Sequence, residues 1–419
     1  MKIADAELEF RRYFVICDKF AVRLCFANFF GNAYLPHRDP IWMILLGKSS
    51  SGKSTFIAPT LAFPNSVPLD DLTEKTLLSG FNPGKKGRDN SLLRQVGQGT
   101  LVFSDLTPIL SKNPQSAGEI LSQLRMVHDG NFIKYTGTGK IEWHGKIGLL
   151  AASTHEIFYW LEKGRSMGER FAYYEIESPS DEEVLAMHES SNTSAKEVAD
   201  IMKGYYEKTW IGIREWVAVH GVSDLVLTQA QVARINYAAS FCVRGKATVH
   251  TAFKTGDPDQ LPAQAGVGRD IKMFRGILQA CQNIDQYEHD DPSKSLDDSW
   301  IDLIEKMAYS SINLERRMVL EILAWSGKHL TASEIGAVKD LGFEKKSVEL
   351  YLTPLHAIGI IRKIPVKPAF KWALDDEQAA AFIKRVAWRK GLDKVEIPKV
   401  IEEPEAAVGE EINQEDMSF

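Results

Sequence analysis

The run Gly47-Lys48-Ser49-Ser50-Ser51-Gly52-Lys53-Ser54, followed by Thr55, carries the densest chemistry in the chain. Glycines at both ends of a short hydroxyl-rich turn let backbone N–H groups approach an anion closely. A lysine directly after the second glycine places an ammonium near the β and γ oxygens of a bound triphosphate, and the next hydroxyl can ligate magnesium. On that reading Gly47, Ser49, Ser50, Ser51, Gly52 and Thr55 form the cradle, Lys53 is the cation, and Ser54 is a metal ligand. The expected cofactors are ATP and Mg2+.

Such a loop works only when a buried strand delivers it and a helix leaves it with its positive end toward the anion. The apolar run Ile41–Leu46 supplies the strand. A second apolar run, Gly99-Thr-Leu-Val-Phe-Ser-Asp-Leu106, ends in Asp105, where a carboxylate for magnesium or water belongs. A third, Ile147-Gly-Leu-Leu-Ala-Ala-Ser-Thr154, ends in small polar residues placed to sense a phosphate. Between these two runs, alternating residues on either side of Thr136-Gly-Thr-Gly139 read as a β-hairpin. Strands are predicted at Ile41–Leu46, Leu101–Phe103, Ile147–Ala152 and around Phe171–Ile176, with helical segments between them. The fold class is therefore α/β, a helix-flanked parallel sheet.

At 419 residues the chain exceeds one ordinary core. Apolar helical spacing and Pro36 and Pro40 mark an N-terminal helical segment at 1–40, followed by a nucleotide-binding core at 41–178 and a helical region at 179–289. Pro and mixed charges suggest a linker at 290–299. Three helices and two short strands at 300–375 give the order of a winged helix, whose third helix carries Lys345 and Lys346 near its start. A C-terminal helix (376–396) and an acidic tail (397–419) complete the chain, and the tail reads as disordered. No stretch is apolar enough to span a membrane, and four scattered cysteines suit reduced thiols in a cytoplasm. The net charge of −6 argues against a uniformly basic surface and leaves room for local basic loops.

From Trp42 to Glu177 the order of phosphate loop, acidic strand, hairpin, polar-ended strand and Met167-Gly-Glu-Arg-Phe171 resembles the AAA+ ATPases. The resemblance is to the clade with a β-hairpin before its sensor strand, which includes MCM helicases, superfamily-three viral helicases and bacterial enhancer-binding activators. It implies that Thr154 is the first sensor, that Arg170 is an arginine finger reaching a neighbouring subunit's nucleotide, and that the helical region is a lid. Arg269 is the expected second sensor, ahead of Arg234 and Arg244. The family ends its acidic strand in Asp-Glu, whereas this chain has Ser104-Asp105-Leu106. Asp105 is then either the water-activating acid or the metal partner, with Asp70 or Asp71 available to assist.

The resemblance further implies a homo-oligomeric, hexameric ring whose hairpins face a central channel. Lys134 and Lys140 on the hairpin, and Lys85, Lys86 and Arg88 on the loop Ser79–Arg88, would grip a DNA backbone without reading sequence. Lysines around Gly80-Phe-Asn-Pro-Gly84, in place of a sigma-engaging element, argue against transcription activation. The leading expectation is an ATP-driven DNA motor, a replicative helicase or replication initiator of a phage or mobile element. A partner protein could engage its winged helix or acidic tail. The alternative is an ATP-dependent DNA-binding switch or loader that recruits a partner without unwinding.

Overall fold

A computed structural model describes residues 1–15, 18–49, 51–79, 91–136, 139–164, 170–180, 182–183, 185, 194–250, 258–263, 265–338, 345–367 and 369–387. Ser50, the loop cations Lys85, Lys86 and Arg88, and the acidic tail lie outside them, as do the side chains of Lys345 and Lys346.

Two N-terminal helices, α1 (Ile3–Tyr13) and α2 (Ala21–Tyr34), precede strand β1 (Trp42–Leu46). The Gly47–Thr55 loop runs into α3 (Lys53–Ile57), which tightens at once into a 3-10 turn, Ala58–Ala62, containing Pro59. Then come β2 (Ser66–Leu69), α4 (Leu92–Val96), β3 (Thr100–Phe103), α5 (Thr107–Leu110) and α6 (Pro114–His128). Strands β4 (Asn131–Thr136) and β5 (Gly139–His144) pair antiparallel, so the hairpin lies where its alternation predicts. Strand β6 (Gly148–Ser153), helix α7 (Glu156–Gly164) and β7 (Ala172–Glu175) complete this part.

The sheet is five-stranded and parallel, ordered β2-β3-β6-β1-β7. Its residues alternate cleanly between two apolar layers, as the period of two requires. Met43, Leu45, Leu150 and Tyr174 face the layer that holds α2, while Ile44, Leu101, Leu149 and Tyr173 face the one that holds α6. Buried Asn28 of α2 fixes its helix to the sheet by donating to the carbonyls of Ile41 (3.1 Å) and Leu149 (3.0 Å). The four predicted strands are present within a residue or two. Strand β2 escaped prediction because it is short, half-exposed and contains Pro68, which only an edge position tolerates.

Helices α8 (Ala195–His220), α9 (Gln229–Lys246), α10 (Val267–His289) and α11 (Asp298–Ser310) follow. Next come α12 (Leu314–Ser326), α13 (Ala332–Gly336), α14 (Lys345–Ala357), the antiparallel pair β8 (Ile361–Val366) and β9 (Ala369–Leu374), and α15 (Glu377–Val386). Residues 290–299 are a packed connection rather than a free linker. Leu296 and Trp300 are buried, Gln286 donates to the Lys294 carbonyl, and Trp300 packs on Phe20 of the N-terminal segment. Helix α11 belongs with β7 and α9, which it contacts, and Glu305 on it is fully buried between Arg234 of α9 and Arg385 of α15. One apolar cluster runs from Ile3 to Val386. Among the described residues no helix is long and apolar enough to cross a membrane.

Candidate phosphate-binding site

Parallel strands gather their C-terminal ends on one edge of the sheet, and ligands of such sheets bind there. Here that edge collects Gly47 after β1, Asp105 after β3, Thr154 after β6 and Glu175 at the end of β7. A Cβ at Gly47 would lie 2.6 Å from Ser51 Oγ and 3.3 Å from Ile176, so a side chain there would force Ser51 to turn out of its place in the loop. Gly52 adopts φ +82°, a left-handed conformation that costs other residues strain. It turns the chain into α3 with Lys53 in the first position.

Lys53 is 8% exposed, and its ammonium donates to the carbonyls of Gly47 (3.0 Å) and Lys48 (2.5 Å), with Ser51 Oγ at 3.3 Å. Burial draws its pKa below the ordinary lysine value, and the Asp105 carboxylate opposes that shift. The ammonium thus lies inside the loop, within the field of Asp105. Because α3 is a single short turn before Pro59, its dipole is small. The loop's own N–H groups and Lys53 must supply most of the attraction for an anion.

Ser54 Oγ donates to the Ser104 carbonyl at 3.1 Å, tying the loop to the end of β3. That contact spans the end of β6, which lies between β1 and β3. Asp105 is exposed, and its Oδ1 accepts from the Thr107 N–H at 2.9 Å, leaving Oδ2 clear of that turn. Thr154, between the two, has a buried hydroxyl without a hydrogen-bond partner. Lys53, Ser54, Asp105 and Thr154 therefore converge, as their sequence positions predict, and Ser49 and Thr55 border the same loop. The set can hold a polyanion and a hard cation that shares its oxygens. Among the described residues no group of three His, Cys, Asp or Glu could hold a metal by itself. A magnesium ion that keeps waters and phosphate oxygens needs no such cage.

Sequence reasoning missed a second group on this edge. Glu175 pairs with Arg317 of α12 (Nη1–Oε2 2.5 Å) and with His155, the residue after Thr154 (Nε2–Oε1 3.2 Å). Burial alone would raise the Glu175 carboxyl, but Arg317 and His155 hold it down to about 2. The local hint is the adjacent pair Arg316-Arg317 in a helix whose other residues, Glu315, Glu321 and Ser326 apart, are apolar.

Two predicted arginines need correction. Arg170 does not project. It is 3% exposed and grips Asp129 through Nε (3.2 Å) and Nη2 (2.7 and 3.0 Å). It precedes β7 and so sits at the opposite edge of the sheet from Lys53. Arg269, in the first turn of α10, is exposed there too, sharing a small cleft with Asp39, Ile41, His128 and Arg170. The length of β1, roughly 16 Å at 3.3 Å per residue, separates it from the loop. Arg234 is committed to Asp302 and Glu305, and Arg244 reaches the Gly359 carbonyl, so neither serves the site.

The hairpin cations also differ from expectation. Lys134 turns inward and donates to the carbonyls of Glu74 (2.9 Å) and Leu78 (3.3 Å), while Lys140 pairs with Glu142 at 2.6 Å. Lys146 caps the Gly31 and Leu35 carbonyls, and burial lowers its pKa to about 8. The hairpin instead presents Ile133 and Tyr135, the latter 77% exposed. No family model matches this chain, and no curated protein matches it either.

Proposed function

We propose that the protein is a magnesium-dependent ATPase whose triphosphate site is the edge formed by Lys53, Ser54, Asp105 and Thr154. One observation carries the reading: the buried, partnerless Thr154 hydroxyl lies between a glycine-framed lysine loop and a strand-end carboxylate. Gly47 and Gly52 would let the backbone close on the phosphates, and Lys53 would exchange its loop carbonyls for phosphate oxygens. Ser54 and Asp105 would hold magnesium, which polarises the phosphate when bound. Thr154 would donate to a phosphate oxygen, which supplies the acceptor its hydroxyl lacks.

The strand contents and the hairpin between β3 and β6 support the AAA+ resemblance, and with it a ring whose subunits act on DNA in replication. Two observations favour the second reading, a DNA-binding switch or loader, over a processive motor. Lys134 and Lys140 spend their charge within the chain, and no second acid follows Asp105.

Binding of a fluorescent ATP analogue with Mg2+ tests the site. Lys53→Ala is expected to weaken it at least tenfold, the factor one charge-assisted hydrogen bond carries. Unchanged affinity in a folded variant rejects the assignment. Strand displacement scored beside turnover separates the motor from the switch, because turnover without displacement leaves only the switch.

A further inference from the structure

The edge where the strands begin, opposite the Gly47–Thr55 loop, carries a cavity of its own. Helices α2 and α8 and the turns entering β2 and β3 enclose about 230 Å³ there. Thr100, the first residue of β3, lines it and pairs with Gly148, the residue before the partner of Trp42. The cavity thus lies the length of β1 away from Gly47, roughly 16 Å at 3.3 Å per residue. It is smaller than the about 300–1,000 Å³ of clefts that enclose a drug-sized ligand, so it suits one ring system with the rest of its molecule outside.

One wall is aromatic. Buried Trp210 of α8 and half-buried Tyr34 of α2 lie 6.0 Å apart with their planes 30° from parallel, and Phe29 meets Trp210 edge-on. The facing wall is polar. Asn65 and Gln98 are exposed on the turns entering β2 and β3, and among the described residues neither carboxamide has a hydrogen-bond partner. Asn65 holds φ +59°, a left-handed conformation that asparagine tolerates. Its carbonyl closes on the start of β3 because Gly99 has no Cβ to collide with it. Asn32, in the same cavity, is by contrast spent on the backbone of Asn28 and Ile41. Arg214, one helical turn after Trp210, stands exposed at the rim. Burial raises the Tyr34 hydroxyl pKa, and Arg214 is close enough to oppose that shift.

We propose that this cavity binds one nucleobase, stacked on the Tyr34–Trp210 wall, its edge met by Asn65 and Gln98 and its phosphate held by Arg214. Aromatic faces accept any base, and the paired donor and acceptor of a carboxamide match base edges. An aromatic side chain of a peptide offers at most one polar group at its edge and would leave an amide unmet. A guanidinium at the mouth suits the phosphate that accompanies a base. The site is separate from the Gly47–Thr55 loop and stands whether or not that loop holds a triphosphate. A free nucleotide and one nucleotide of a single strand present the same base and phosphate, and the two are told apart by experiment.

The test irradiates the full chain with iodouracil, supplied as the deoxynucleoside monophosphate or as the one modified base of a short oligodeoxythymidylate, and maps adducts by mass spectrometry. Adducts on Tyr34 or Trp210 are expected, and they persist in Lys53→Ala, whose loop has lost its cation. An adduct with the oligonucleotide alone identifies a single strand as the source, and one with the monophosphate as well identifies a free nucleotide. Affinity for the cross-linking probe is then measured by fluorescence anisotropy or calorimetry. Asn65→Gly, which suits the positive φ, and Gln98→Ala each weaken it by about three- to tenfold, the range of one hydrogen bond. Arg214→Ala weakens it about tenfold and lowers the salt slope of oligonucleotide binding by about one. All three side chains are exposed, so these variants keep the fold. No adduct on either ring, loss of the adduct in folded Lys53→Ala, or wild-type affinity in all three rim variants overturns the proposal.

Discussion

Replacing Arg170 separates a structural pin from a group that acts across subunits. The guanidinium is 2% exposed and bound to both Asp129 oxygens, whereas the Asp129 side chain is 50% exposed. Breaking a buried pair by removing one partner costs about 3–5 kcal/mol, mostly through the stranded charge. In Arg170→Ala the stranded charge is Asp129, which water can reach, so lost packing and hydrogen bonds should leave about 2–3 kcal/mol. Asp129→Ala instead strips the buried guanidinium of its carboxylate and should cost more, toward about 4 kcal/mol. Urea unfolding followed by tryptophan fluorescence measures both, with midpoints read at constant slope. The order Asp129→Ala below Arg170→Ala below wild type is the expected result. Wild-type stability in Arg170→Ala together with lost turnover refutes the reasoning and restores the arginine to a neighbour's nucleotide.

Glu175 gives a pH signature. Its folded pKa of about 2 lies below the ordinary 4.5, so its stabilisation is complete above about pH 4.5 and is lost as pH falls toward 2; it is worth on the order of 3 kcal/mol. Urea midpoints at about pH 5 and about pH 3 should therefore converge for Glu175→Gln and wild type, and parallel acid slopes would contradict the pairing. Lys134→Met should lose about 1–2 kcal/mol by stranding two carbonyls and leave the salt dependence of DNA binding unchanged, while a slope reduced by about one would return Lys134 to the phosphate backbone. Gly52→Ala meets no atom closer than 4.0 Å, so its cost is the left-handed φ alone, roughly 1–2 kcal/mol by thermal shift, with weakened nucleotide binding.

What the sequence made legible was local. Apolar runs ending in a glycine, an acid or a hydroxyl located β1, β3 and β6, and the spacing of Gly47, Gly52, Lys53 and Ser54 located the loop. Side-chain direction was not local. Arg170 turns inward because Asp129 waits at the hairpin base 41 residues earlier, and nothing in the Arg-Phe motif reports that. Glu175 and Arg317 meet across 142 residues, beyond any periodicity. Lys134 shares its face with buried Phe132, an inward register that its charge disguises in the sequence, and the carbonyls of Glu74 and Leu78 receive it there. Pro292 and the surrounding charges resembled a linker, but Leu296 and Trp300 anchor that segment in the core.

The apolar cluster extending from Ile3 to Val386 governs how the molecule can move. Among the described residues this cluster joins the N-terminal helices, one face of the sheet and the terminal helices, and such continuous packing opposes hinge bending between them. Helices packed in this way move by shear, faces sliding in small steps while neighbouring side chains exchange rotamers. Such sliding is stiff and short in range, because a close-packed interior leaves each side chain few alternative positions.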